Sequence, residues 1–131
     1  MVGLYCASKA ALETFSMAMR MELRPTAVKV AIVGMGAVES DLDRNRVVDD
    51  GTGSCYEVLA SRMIARTRAM RDRALPAVEV ARVVEQVMLD PDPPFRTYVG
   101  EGFGEALAAM VSLSDEAFEA QVYGALMGAD V

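Results

Sequence analysis

The sequence predicts an α/β protein built on parallel strands, and three observations carry that prediction. An apolar run at 28–33, Val-Lys-Val-Ala-Ile-Val, follows directly on an amphipathic helix at 5–24. A second helix-then-strand pair comes later, with helical spacing from Val80 to Met88 and a short strand at 95–99. Finally, β-branched and small apolar residues broken only by Lys29 suit a central parallel strand covered on both faces. Helix-then-strand order is half of a βαβ unit. The expected inventory is about two strands and four to five helices.

The first helix places Leu12, Phe15, Met19 and Leu23 at three-to-four spacing, one apolar stripe, and Pro25 stops it. Gly34-Met35-Gly36 is expected to end the strand and to let backbone approach a ligand closely, or simply to turn from strand to loop. Residues 41–55 are polar and glycine-containing and read as a loop. A helix over 56–72 has Val58, Leu59, Met63 and Ile64 on one face; its arginines 62, 66, 68 and 71, with Arg73 beyond, read as a solvated face before an anion site. Pro76 suits the first turn of the next helix, whose Val80, Val83, Val84, Val87 and Met88 form the cleanest stripe in the chain. Asp90-Pro91-Asp92-Pro93-Pro94 enforces an extended linker. Helices near 101–111 and 114–127 close the chain, the second with Ser114 as N-cap and Asp115 and Glu116 in its first turn.

Composition narrows the function. With 131 residues, 53% hydrophobic and 24% charged, the chain suits one globular domain. A net charge of −6 argues against a nucleic-acid surface, which needs a basic stripe. No apolar run approaches the roughly 18 residues of a membrane span, and no basic-then-apolar leader opens the sequence, so the expected location is the cytoplasm. Cys6 and Cys55 are too few for a disulfide framework or zinc site, and the ten methionines read as flexible core filler. There is no histidine, which excludes Ser–His–Asp chemistry and His-ligated metals. Tyrosine, lysine and carboxylates are the acid–base groups that remain.

Tyr5 and Lys9 stand four residues apart, one turn of a helix, with both side chains on one face. A phenol holds its proton to a pKa of about 10. A fixed positive charge within roughly 4–6 Å favours the phenolate and lowers that value. A phenol so tuned can exchange a proton with a carbonyl oxygen as it becomes a hydroxyl. On spacing alone, the pair reads first as a terminal aromatic and a solvated helix charge.

Its surroundings change the weight. Tyr5-Cys6-Ala7-Ser8-Lys9-Ala10-Ala11-Leu12, then Phe15, Met19-Arg20 and Glu22-Leu23, closely resembles the catalytic helix of short-chain dehydrogenases/reductases. Val28–Val33 resembles that family's next strand, and Gly36-Ala37-Val38-Glu39-Ser40 its Pro-Gly-x-Val-x-Thr segment. The resemblance implies the C-terminal half of a Rossmann-type, doubly wound parallel sheet, a single partial domain over 1–131. Residues 1–40 would hold the catalytic helix, strand and nicotinamide-side loop, 41–75 a mobile substrate lid, and 76–131 the C-terminal helix, strand and helices. It further implies Tyr5 as the acid–base, Lys9 as the group that tunes it and holds the nicotinamide ribose, and NAD or NADP as cofactor. Backbone at Gly36 and Val38 would face the carboxamide, and the Ser40 hydroxyl would reach the cofactor. Met35 stands where the family has proline, so this loop is expected to be less rigid.

The family's glycine-rich turn, Asn-Ala-Gly strand end and catalytic serine all precede the tyrosine, and Gly-x-x-x-Gly-x-Gly occurs nowhere in these residues. Glycines 100, 102 and 104 read as coincidence, following the late strand without a βα opening. The chain is therefore expected to be either a fragment of a dehydrogenase or a short protein with another role, an interaction module pairing through its apolar helix faces. The Pro76–Val84 helix start, Pro91-Asp92-Pro93-Pro94-Phe95-Arg96 and Leu113-Ser114-Asp115-x-x-Phe118 resemble the retinol and 17β-hydroxysteroid dehydrogenase branch. That implies a hydrophobic, steroid- or retinoid-like alcohol or ketone, and a homo-oligomer.

Overall fold

The computed structural model describes residues 3–41 and 51–128. Its elements run α1 (Gly3–Glu22), β1 (Ile32–Met35), α2 (Glu57–Arg71), α3 (Ala77–Leu89), β2 (Arg96–Val99), α4 (Phe103–Ser112) and α5 (Asp115–Met127). Five helices and a two-stranded parallel sheet give the expected α/β class. Residues 42–50, within the expected lid, lie outside the described residues. The chain divides into two compact units. One holds α1, β1, α3 and β2; the other holds α2, α4, α5 and the segment after β1.

In the first unit β1 pairs with β2 in parallel, Ile32 opposite Arg96 and Met35 opposite Val99. The Ile32 N–H donates to the Phe95 carbonyl at 2.8 Å. The strand begins four residues later than Val28, where the apolar run begins. The reason lies on the partner: continuing the register backwards sets Lys29 and Val30 against Pro93 and Pro94, which have no N–H to donate. Val28 is accordingly exposed, and Lys29 meets Asp92 through its side chain, 3.4 Å apart. At its other end β1 takes in Gly34 and Met35, so these two residues belong to the strand and not to the turn after it.

The expected burial of β1 on both faces is not reached. Ile32, Val33 and Gly34 are half-buried and Met35 is exposed. Among the described residues β1 has a strand on one side only. The α1 stripe divides in the same way: Met19 and Leu23 are half-buried, whereas Leu12 and Phe15 are 56% and 61% exposed. On α3, Val80 is buried, Val83, Val84 and Val87 are half-buried, and Met88 at the end of the expected stripe is exposed. Helical periodicity predicts a face correctly, but whether that face is covered depends on what other elements reach it.

Arg20, near the end of α1, ties this unit together. Its guanidinium donates to the Val30 carbonyl at 2.6 Å and the Pro93 carbonyl at 3.3 Å, the segments leading into β1 and β2. It also lies over the Phe95 ring, 5.4 Å from the centroid, while Arg96 lies 4.6 Å from the same centroid. Arg96 in turn pairs with Glu13 of α1 at 3.3 Å. A planar cation bonded to two carbonyls and an aromatic face is a geometry lysine cannot copy.

In the second unit the residues after β1 form a single parallel bridge, Val38 with Leu75. The Leu75 N–H donates to the Ala37 carbonyl and the Glu39 N–H to the Leu75 carbonyl, each at 2.9 Å. Before α2, the Ser54 hydroxyl donates to the Gly51 carbonyl at 2.6 Å and accepts from the Tyr56 N–H at 3.2 Å, while Glu57 accepts the Gly53 N–H at 2.9 Å. α2 packs on α5. α5 has no basic residue in its last turn, and Arg66 of α2 donates to its Ala125 carbonyl at 3.4 Å instead. One of the arginines read as a solvated face thus supplies the favourable charge that a helix C-terminus attracts.

Ser114 caps α5 as expected, its hydroxyl accepting the Ala117 N–H at 3.3 Å. The Glu116 carboxyl is held below its ordinary 4.5 by a backbone N–H and then by the Ser114 hydroxyl. A carboxyl with a lowered folded value contributes stability above its unfolded value, and loses it as pH falls through the folded one. Acidification below 4.5 should therefore loosen the start of α5. In an NMR side-chain titration Glu116 should have its midpoint below 4.5, and Ser114→Ala should move it upward. That substitution should also cost about 1 kcal/mol of cap stability.

Arg20→Ala should release the lead-ins to both strands. Hydrogen bonds from a charged group contribute roughly 1.5–3 kcal/mol, so the Ile32 amide should exchange with solvent some ten to a hundred times faster, and Arg20→Lys should recover little of the protection. Unchanged exchange at Ile32 would show that the guanidinium decorates the surface.

Candidate active site

The site begins with a helix that presents two groups side by side. Tyr5 and Lys9 lie on α1, where alanines 7, 10 and 11 favour the helix. The Lys9 ammonium sits over the Tyr5 ring, 5.5 Å from its centroid. A cation and a phenol thus share one exposed face of α1. Tyr5 is 62% exposed, open to a substrate from solution. Between them, the Ser8 hydroxyl donates to the Tyr5 carbonyl at 2.7 Å, so it serves the helix. Cys6, next to Tyr5, is an exposed free thiol.

Met35 is the last residue of β1 and is 42% exposed. Gly36, Val38 and Ser40 follow it in the second unit. Gly36 and Val38 are half-buried and Ser40 is exposed. Thus Tyr5, Lys9 and Met35 belong to one unit, and the three remaining candidates to the other.

Two residues that sequence reasoning missed shape the segment after β1. Leu75 brackets it through main-chain bonds to Ala37 and Glu39. Gly100 takes φ +106°, and a Cβ there would stand 3.4 Å from the Gly36 nitrogen and 3.6 Å from Leu75. The signal for Gly100 was visible as a glycine closing a strand; nothing in the sequence tied Leu75 to Val38.

Glycines 100, 102 and 104 fall at the passage from β2 to α4. Gly100 follows β2, Gly102 at φ +72° is the N-cap of α4, and Gly104 lies inside the helix. Among the described residues α4 is followed by the helix α5 and not by a strand, so no βαβ unit opens at these glycines. Glu101 and Glu105 stand beside them, and carboxylates there oppose a phosphate.

These residues can be tested against a nicotinamide cofactor. An ammonium and an exposed phenol on one face fit a ribose hydroxyl and a reacting carbonyl, and a backbone segment fixed at Ala37 and Glu39 suits a carboxamide. Each group, taken within its own unit, suits one part of the nicotinamide end. The described residues hold no matching glycine-rich cradle for the diphosphate. They also hold no group of three or more His, Cys, Asp or Glu able to bind a metal, and no helix long and apolar enough to cross a membrane.

Comparison with known proteins bears on the same stretch. Residues 1–51 match the family model described as short chain dehydrogenase. A probable short-chain type dehydrogenase/reductase, VdlC of Helicobacter pylori, is 33% identical over 84 residues, covering 63% of this chain and 31% of the relative. The chain thus spans about a third of the length of the curated relative it matches. The matched family segment contains the Tyr5–Lys9 pair, β1 and the segment after it, and the two comparisons together support the short-chain dehydrogenase/reductase family.

Proposed function

We propose that this chain is the C-terminal part of an NAD(P)-dependent oxidoreductase that interconverts an alcohol and a ketone or aldehyde. The observation that carries the proposal is the Lys9 ammonium over the Tyr5 ring, inside the segment that matches the family model. Tyr5 gives its proton to the carbonyl oxygen in reduction, or accepts the hydroxyl proton in oxidation. Lys9 sets its positive charge beside the phenol and holds the nicotinamide ribose. Main chain at Gly36 and Val38 meets the carboxamide, the Ser40 hydroxyl reaches the cofactor, and Met35 lies at the entrance to that segment. The bound nicotinamide supplies the hydride chemistry.

The substrate is a hydrophobic, steroid- or retinoid-like alcohol or ketone, as the resemblance of the linker and the Leu113-Ser114-Asp115 segment to the retinol and 17β-hydroxysteroid dehydrogenase branch implies. The enzyme works in the cytoplasm as a homo-oligomer. A second reading, an interaction module pairing through apolar helix faces, draws support from the exposure of Leu4, Leu12 and Phe15 along α1.

The catalytic reading has a direct test once the chain is joined to a glycine-rich dinucleotide-binding half. Tyr5→Phe should lower turnover by about a hundred- to ten-thousand-fold, the range for a positioned acid–base group, with cofactor affinity nearly intact. Lys9→Ala should weaken both turnover and cofactor binding. Equal, mild effects from the two changes would reduce the pair to a helix surface.

The isolated chain carries a test of its own. With no matching diphosphate cradle in its sequence, it should bind neither NAD(H) nor NADP(H) in calorimetric titration and show no turnover. Exposed apolar helix faces and an open strand edge favour pairing with another chain, so light scattering should report a mass above 14.1 kDa. A monomer binding either cofactor with micromolar affinity would overturn this expectation.

A further inference from the structure

We draw no further inference here: the strongest candidate, the open edge of β1 at Ile32–Met35 in the two-stranded sheet, is an unpartnered apolar edge, and nothing in the structure shows what covers it.

Discussion

The first unit depends on the guanidinium of Arg20. Three segments distant in sequence, the end of α1, the approach to β1 and the proline linker before β2, converge on one planar cation. Carbonyls entering a strand have to find a donor, and prolines 91, 93 and 94 supply none. Arg20 fills that deficit on both sides, and its stacking on Phe95 covers the guanidinium where it leaves water. Glu13 and Arg96 add a second tie between helix and sheet one layer away. The helix that carries Tyr5 and Lys9 is thereby fixed to the strand pair through polar contacts, in a unit whose buried residues, among those described, are Val80 and Pro93.

Much of this architecture was legible because it is local. Helix existence and order follow from three-to-four spacing, from Pro25 and Pro76 as punctuation, and from Ser114 as a cap, all of which act within a turn or two. The extent of β1 was not legible. Val28 to Ala31 look like strand, yet their fate is decided by residues more than sixty positions away that cannot form a ladder. The same distinction holds for burial. Phe15 belongs to an apolar stripe by periodicity, but periodicity does not say what reaches it, and here it remains exposed.

The candidate site divides along the same line. Tyr5 and Lys9 were readable from their spacing and neighbours because one helix presents both. Leu75 and Gly100 were not, since their importance arises only when the chain returns to the segment after β1. Glycines 100 and 102 illustrate a third case. Their backbone conformations, with φ +106° and +72°, are not readable from the sequence, whereas Glu101 and Glu105, which oppose a phosphate there, are.

The pairing of Leu75 with Ala37 and Glu39 alters the meaning of the methionine at position 35. A proline stiffens a loop by removing a rotatable bond, a covalent restraint that stays with the residue. Here the segment after β1 is restrained by two main-chain hydrogen bonds to a residue beyond α2. Its rigidity is therefore conditional: it lasts while the approach to α3 stays in place, and it is indifferent to which side chains occupy positions 37 and 39.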